Sequence, residues 1–204
     1  ADMNINFCLA SKDPDGNPTN GIIRKFTNKS GFSLYDTTIH YNATGGSDAW
    51  DSEKYLNIWV CNIYGGILGW AQFPYAGTKE TDGVVINHDN FGINLNYSSA
   101  YNLGRTTTHE VGHWLNLFHV WGDNTCGDDF VFDTPTQEQA NYGCKIHPHI
   151  SCQNSGDMFM NFMDYSDDDC MNSFTNGQKS RAWNCLLNYR DKIFISDGCD
   201  TTNF

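Results

Sequence analysis

The stretch HEVGHWLNLFH, residues 109–119, determines how the rest of this sequence is interpreted. If it is helical, His109 and His113 lie on one face, one turn and about 6 Å apart along the axis. Two imidazoles in that arrangement can bind the same metal ion. Glu110 is rotated by about 100° from His109, so its carboxylate is better placed to reach a water on the metal than the metal itself. The pattern therefore indicates a zinc ion with a general base beside it.

A third histidine, His119, follows six residues after His113, which is about 9 Å further along a continuous helix. It can join the other two only if the helix ends and the chain turns back. Asn116 stands between them, and asparagine is, after glycine, the residue that best tolerates a left-handed backbone. Three neutral imidazoles leave a fourth position on zinc open, as in catalytic sites, whereas structural sites are closed by four ligands rich in cysteine.

Length and composition favour one domain over residues 1–204. Hydrophobic residues make up 39% and aromatic residues 14% of the chain, which is enough for a single core. The net charge of −12 repels nucleic-acid backbones and anionic membranes, so neither is an expected partner. The longest uncharged stretch, 55–78, contains several glycines and a proline and is not expected to span a membrane. Eight cysteines without a CxxC pair predict disulfides and therefore secretion.

The alternation of residues along the chain predicts a few regular elements. Residues 3–10 alternate as a strand, and the apolar run 55–63 is typical of a strand at the centre of a sheet. The run 84–88 is shorter and predicts an edge strand, whose free backbone groups could bind a peptide. Thr175 and Gln178 have the spacing of a capping box, which predicts a C-terminal helix ending before Gly198.

The zinc motif resembles that of the metzincin metallopeptidases, with Asn116 where most members have glycine. NFMDY, residues 161–165, resembles the metzincin Met-turn, in which Met163 is the methionine beneath the metal. Within the metzincins the sequence is most similar to the small secreted microbial branch of the pappalysin family. The similar segments include NPTNGI, YLNIWVCN, LGWAQFP, DGVVI, LGRTTTHEVGHWLNL, DDFVFDTP and MNFMDYSDDDCMNSFT.

This resemblance implies an α/β (α+β) zincin fold of the metzincin type. We expect a twisted mixed β-sheet with an active-site helix and a C-terminal helix. A cleft would separate an upper subdomain, about 1–119, from a lower subdomain, about 120–204. The family begins with a strand and a long helix that we expect to be missing here, because no helix-length periodic stretch precedes Leu103.

The resemblance also implies roles for residues beyond the zinc ligands. Tyr165 would lie near the metal and hydrogen-bond the oxyanion formed during catalysis; alternatively, it is a core tyrosine. Asp169 would lie at the base of the S1′ pocket and pair with a substrate lysine or arginine; alternatively, the run 167–169 is a solvated loop. Calcium would be bound by Asp129, the Phe132 carbonyl and Thr134, with Asp128 and Asp133 as further candidates. The alternative is a charged surface loop, since the spacing is not that of an EF-hand.

Disulfide pairing likewise follows from the resemblance for four of the eight cysteines, which it pairs as Cys126–Cys152 and Cys144–Cys170. Cys185 and Cys199 are close in sequence and could join the C-terminal helix to the tail. Cys8 and Cys61 are left open between a disulfide and two buried thiols.

The sequence is therefore interpreted as a monomeric, secreted zinc endopeptidase that cleaves polypeptides on the N-terminal side of lysine and arginine. In this hypothesis Glu110 deprotonates a zinc-bound water. One alternative is a non-catalytic zinc-containing binding or adhesion module on the same scaffold, against which the presence of Glu110 argues. Another is zinc-dependent hydrolysis of a non-peptide amide.

Overall fold

The computed structural model describes residues 1–199 and contains one small sheet and two α-helices. The strands are β1 (Asn57–Cys61), β2 (Gly69–Ala71) and β3 (Gly83–Asn87). The helices are α1 (Arg105–Trp114) and α2 (Asn176–Tyr189). Short 3₁₀-helices are found at Thr38–His40, Asn42–Thr44, Tyr64–Gly66, His88–Asn90 and Asp191–Ile195. Among residues 1–199, neither α-helix is long and apolar enough to cross a membrane.

The sheet has the order β1-β3-β2, with β1 parallel and β2 antiparallel to the central strand. This mixed sheet, together with α1 and α2, confirms the predicted α+β class. The two strand positions predicted from apolar runs are wrong, since β3 is central and β1 is at an edge. The physical reason is burial from both sides: β3 is covered on both faces, whereas Ile58 and Val60 of β1 remain 41% and 43% exposed.

The core lies on both faces of β3. On one face, Val84 and Ile86 pack in a cluster that also contains Trp114 of α1 and Leu186 of α2. On the other face, Val85 packs in a second cluster, whose other buried members are Phe32, Ile39, Trp59 and Ile63. Trp114 fixes the end of α1 in two ways: it packs in the same cluster as β3 and α2, and its indole N–H donates to Asp82 Oδ1 at 3.0 Å just before β3.

The N-terminal segment does not form the strand predicted over residues 3–10; residues 1–10 are irregular. It lies along the C-terminal part of the chain instead. Trp183 of α2 donates its indole N–H to the Met3 carbonyl at 2.8 Å, and the Ser11 N–H donates to the Gly198 carbonyl at 2.7 Å. The alternation is explained by these contacts, since Met3 and Ile5 pack against the main core while their neighbours face outward.

Three disulfides are present, and two of them, Cys126–Cys152 and Cys144–Cys170, are the pairs implied by the resemblance. The predicted Cys185–Cys199 bridge is wrong, because Cys199 pairs with Cys8. Cys185 is buried on the core face of α2, with its thiol next to the Trp114 carbonyl, so the tail does not reach it. Cys185 and Cys61 are both free thiols.

Candidate active site

Helix α1 carries the first two predicted ligands and begins against a carboxylate. The backbone N–H groups of Leu103 and Arg105 donate to Asp168 Oδ2 at 2.7 and 3.2 Å. A carboxylate at this end complements the unpaired N–H groups and the positive end of the helix dipole. His109 and His113 then follow one turn apart on the buried face of α1.

The end of α1 brings the third histidine back toward the first two. The helix stops at Trp114, and Asn116 adopts the left-handed conformation with φ of 69°, which confirms the predicted break. The Asn116 N–H donates to the His113 carbonyl at 2.8 Å, and the Leu117 N–H donates to the Gly112 carbonyl at 2.9 Å. These two bonds form a Schellman motif, which satisfies the last carbonyls of the helix and reverses the chain.

The three imidazoles meet through their Nε2 atoms. His113 Nε2 is 3.1 Å from His109 Nε2 and 3.1 Å from His119 Nε2. Within residues 1–199 these side chains form the one group of three or more histidine, cysteine or acidic residues that could hold a metal.

Each Nδ1 atom of the triad faces a protein acceptor on its other side. His109 Nδ1 lies 2.7 Å from the Phe162 carbonyl, and His113 Nδ1 lies 2.8 Å from the Leu117 carbonyl. His119 Nδ1 lies 2.6 Å from Asp123 Oδ1. Since these partners are acceptors, each Nδ1 must carry the proton, and each Nε2 then presents a lone pair.

Three lone pairs pointed at one another repel unless a cation lies between them. Burial is the main cause that keeps the imidazoles neutral: it lowers the pKa of His109 and His113 and brings the pKa of His119 to about 3. Zinc–nitrogen bonds of about 2.0–2.1 Å in tetrahedral geometry place the ligand atoms roughly 3.3 Å apart, close to the spacings found. The three residues therefore fit a zinc ion and leave its remaining position free of protein ligands.

Glu110 lies beside the triad and is itself buried. Burial raises the pKa of its carboxyl to about 8. Strand β2 passes directly over it: a Cβ added at Gly69 would lie 3.0 Å from Glu110 Cγ and 3.2 Å from Oε1. Glycine at this position therefore lets the strand approach the carboxylate closely.

The edge of the sheet that faces this site belongs to β2. Its residues pair with β3 on one side, and within residues 1–199 no backbone group of Gly69–Ala71 pairs with another segment on the other side. The segment 84–88, whose short apolar run predicted an edge strand for a peptide, instead includes most of the central strand and the start of a 3₁₀-helix.

Met163 lies against α1, and Tyr165 lies beside the triad. Met163 is fully buried, and a side chain at Gly112 of α1 would collide with its sulfur. The Tyr165 ring centroid lies 5.5 Å from that of His109 and 4.9 Å from that of His119. Burial, followed by the charge of Glu110, raises the pKa of the Tyr165 phenol, so its hydroxyl stays protonated.

Within the acidic run 167–169, Asp169 is exposed and Asp168 is buried. Asp168 Oδ2 accepts the two N–H groups at the start of α1, but its buried Oδ1 has no hydrogen-bond partner. Burial raises the pKa of the Asp168 carboxyl, while the hydrogen bonds from Leu103 and Arg105 act in the opposite direction. The structure thus brings Asp168, and not Asp169, into buried contact with the active-site helix.

The loop 128–134 also leaves buried carboxylate oxygens without partners, namely Asp129 Oδ2 and Asp133 Oδ1. The Thr134 hydroxyl donates within the loop, at 2.7 Å from Asp129 Oδ1 and 2.6 Å from the Val131 carbonyl. Phe132 is 93% exposed. Burial, as the largest cause, raises the pKa of the Asp129 carboxyl to about 6.

Sequence reasoning missed the groups that orient the triad. The carbonyls of Phe162 and Leu117 carry no sequence signal, since any residue supplies a carbonyl. Asp123 does carry one, because it follows His119 by four residues. In the sequence, Asp168 and Asp169 are adjacent and chemically identical, and the two cannot be distinguished without knowing which side chain is buried.

Comparisons with known proteins identify the family of this chain. The family model of peptidase M43, described as pregnancy-associated plasma protein-A, matches residues 40–187. An extracellular metalloprotease of Verticillium alfalfae is 40% identical over 148 residues, which cover 69% of this chain and 52% of the relative. That of Colletotrichum graminicola is 44% identical over 132 residues, covering 60% and 46%. This chain spans about half the length of these curated relatives.

Among solved structures, mature mirolysin of Tannerella forsythia in complex with a cleaved peptide matches with a TM-score of 0.90 and 44% identity. The match covers 95% of this chain and 76% of that chain. The similarity confirms the α+β zincin fold that the resemblance implied. The family match includes the triad, Glu110 and Met163, and the chain therefore belongs to the peptidase M43, or pappalysin, family.

Proposed function

We propose that this chain is the catalytic part of a secreted zinc endopeptidase. One observation carries the proposal: three histidine lone pairs converge on a single point beside a buried carboxylate. A structural zinc site would be closed by a fourth protein ligand. The names of the extracellular relatives support secretion, as do the three disulfides.

The proposed reaction divides the chemistry between the metal and Glu110. Zinc held by His109, His113 and His119 supplies a Lewis acid for the peptide carbonyl and lowers the pKa of water. Glu110 takes a proton from the water that attacks the carbonyl carbon and then delivers it to the nitrogen of the leaving amine. Burial favours uptake and retention of the proton between the two steps, whereas a zinc cation nearby would favour the deprotonated carboxylate that the first step needs. The C–N bond breaks, and a carboxylic acid and an amine are formed.

We place the substrate along β2, at the cleft between the segments of about 1–119 and 120–204. A peptide aligned with the free edge of Gly69–Ala71 can form backbone hydrogen bonds there, as in β-strand addition. Because Gly69 lies against Glu110, a peptide on this edge passes the general base. We also assign the Tyr165 hydroxyl to the oxyanion: it is protonated, and its ring lies against two of the zinc ligands.

We propose that a lysine or arginine follows the cleaved bond and that a carboxylate in the run 167–169 receives its charge. The resemblance points to Asp169 for this role. The burial of Asp168 and its unpaired Oδ1 support Asp168 instead, because a cation can donate to the buried oxygen that the N–H groups of Leu103 and Arg105 leave free. We therefore propose Asp168 as the main acceptor, with the exposed Asp169 as the comparison residue.

We propose a structural calcium ion at the loop 128–134. The buried, unpaired oxygens of Asp129 and Asp133 support it, since calcium binds carboxylates together with backbone carbonyls. The Phe132 carbonyl and the Thr134 oxygen would complete the set predicted from the sequence. The ion would offset the cost of burying Asp129.

The test of the proposed function is reversible metal removal from the purified protein. We expect 1,10-phenanthroline to abolish cleavage of denatured casein and stoichiometric zinc to restore it, with the new amino termini identified by mass spectrometry. Zinc binding without cleavage of casein or of a peptide library would contradict the proposal and favour the binding module. Cleavage confined to non-peptide amides would favour the other alternative.

A further inference from the structure

Helix α2 begins with a capping box, and the N3 residue of this box, Gln178, also contacts a side chain outside the helix. The Gln178 N–H donates to Thr175 Oγ1 at 3.0 Å, and Gln178 Oε1 accepts the Thr175 N–H at 2.9 Å. Glutamate and glutamine serve equally well in this motif, because only an acceptor oxygen is needed. The cap alone therefore does not explain a side-chain amide at position 178.

The amide of Gln178 is paired with the amide of Asn161. Gln178 Nε2 donates to Asn161 Oδ1 at 3.0 Å, and Asn161 Nδ2 donates to Gln178 Oε1 at 2.8 Å. Both side chains are completely buried. Asn161 Oδ1 also accepts the Met163 N–H at 2.9 Å, so the paired amides fix the backbone on both sides of Phe162.

Phe162 supplies the carbonyl that accepts from His109 Nδ1 at 2.7 Å. We propose that Gln178 and Asn161 are positioning residues of the metal centre, because their paired amides hold this carbonyl where it fixes the tautomer and orientation of His109. Groups that hydrogen-bond a metal ligand directly, as the Phe162 carbonyl does, contribute about 10- to 100-fold to metal affinity, and the paired amides act by holding that group. The inference rests on the proposed zinc centre and adds the start of α2 to it.

Two substitutions disrupt the hydrogen bonds of the amide pair, one at each of its two residues. Gln178→Glu keeps the capping oxygen but places a second acceptor against Asn161 Oδ1. Asn161→Ser keeps a short acceptor for the Met163 N–H, as in a Ser/Thr turn, but does not reach Gln178. We expect each to raise the Kd for zinc about tenfold or more, measured by competition with a chromophoric chelator. Each should also change the visible absorption spectrum of the cobalt-substituted protein.

The double variant separates a shared role from two independent ones. If both residues act through the same carbonyl, Q178E/N161S should weaken zinc binding about as much as either single change. Thr175→Ala is the matched control: it removes the cap side chain, lowers Tm by about 2–4 °C and leaves the Kd for zinc within about twofold.

Wild-type zinc affinity and cobalt spectra in the folded single variants would overturn the proposal, as would an equal loss of affinity in T175A. If Q178E does not fold, N161S carries the test, and failure of both to fold would assign the pair a purely structural role. The proposed function is tested separately, because it fails only if the wild-type protein does not bind zinc or does not cleave peptides.

Discussion

The histidine centre and the two acidic segments, residues 128–134 and 167–169, satisfy their polar groups in opposite ways. In the centre, every Nδ1 has a protein acceptor and only the Nε2 atoms are left to face one another. In the acidic segments, buried carboxylate oxygens have no partner among residues 1–199. These oxygens are Asp129 Oδ2, Asp133 Oδ1 and Asp168 Oδ1.

This difference indicates that the histidine centre and the acidic segments would bind a cation in different ways. The centre is preorganised by the fold, because carbonyls and a carboxylate orient each ligand whether or not a metal is bound. The acidic segments leave one buried oxygen of each of three carboxylates unpaired, and a cation from outside can complete its contacts. Changes at the centre should therefore alter the rate of the chemical step. Changes in the acidic segments should alter the choice of substrate or the stability.

The largest expected effect is that of Glu110→Gln. The amide has nearly the same shape but cannot accept the proton of water, so kcat should fall by about 10²- to 10⁴-fold. Zinc content, measured by atomic absorption, should be unchanged, because Glu110 is not among the converging ligands. The measurement is hydrolysis of a fluorogenic peptide by the zinc-loaded variant.

Gly69→Ala is the companion variant for this prediction. Its added carbon would lie 2.8 Å from the Val85 carbonyl of β3 and 3.0 Å from Glu110 Cγ, so both the pairing of β2 with β3 and the carboxylate would have to shift, although the chemistry of Glu110 is kept. Near-wild-type turnover by zinc-loaded E110Q would contradict the assignment of the general base. A loss in G69A alone would then point to the strand, and not the carboxylate, as the important feature.

The centre could be predicted from sequence because its geometry is local. The spacing of His109 and His113 needs only a helix, and the left-handed turn at Asn116 needs only a residue that tolerates it. The capping box at Thr175 is likewise confirmed, since it depends on a residue three positions later. Spacings of three to six residues therefore indicated the parts that the structure places together.

The errors concern contacts between distant parts of the chain. The run 55–63 contains more apolar residues than 84–88, but the burial of β3 depends on α1 and on the Phe32 cluster packing against opposite faces. Cys185 is close to Cys199 in sequence, but Cys199 forms its disulfide with Cys8, which is 191 residues away. Neither arrangement leaves a pattern in the local sequence.

The second largest effect is expected for Asp168→Asn. The amide oxygen can still accept the N–H groups of Leu103 and Arg105, so α1 should keep its start. Loss of the charge removes a charge-assisted hydrogen bond of about 2 kcal/mol to a substrate cation. The ratio of kcat/KM for peptides with arginine and with leucine after the cleaved bond should fall about 30-fold.

Asp169→Asn is the matched control for that experiment. It removes the same charge from the next residue, whose side chain is exposed. Its effect on the ratio should be within about threefold, because a solvated carboxylate is screened. A large effect in D169N and none in D168N would return the role to the residue that the resemblance indicated. Wild-type cleavage mainly before apolar residues would remove the basic preference altogether.

The smallest expected effect is that of calcium on thermal stability, and its sign depends on pH. Burial raises the pKa of Asp129 to about 6 from an ordinary value of 3.8. Between these values the folded chain holds a proton that the unfolded chain has released, so calcium-free stability falls as pH rises through this window.

Calcium takes the place of that proton and should therefore stabilise more at pH 7.5 than at pH 5. At about 100 times its Kd the ion adds about 2.7 kcal/mol, which raises Tm by roughly 5–10 °C at pH 7.5. At pH 5 the proton must first be displaced, so the shift should be smaller. The measurement is a set of melting curves of the zinc-loaded protein with calcium or magnesium. Asp129→Asn should lose both the calcium shift and its pH dependence, whereas equal shifts at the two pH values would show that the ion does not bind through Asp129.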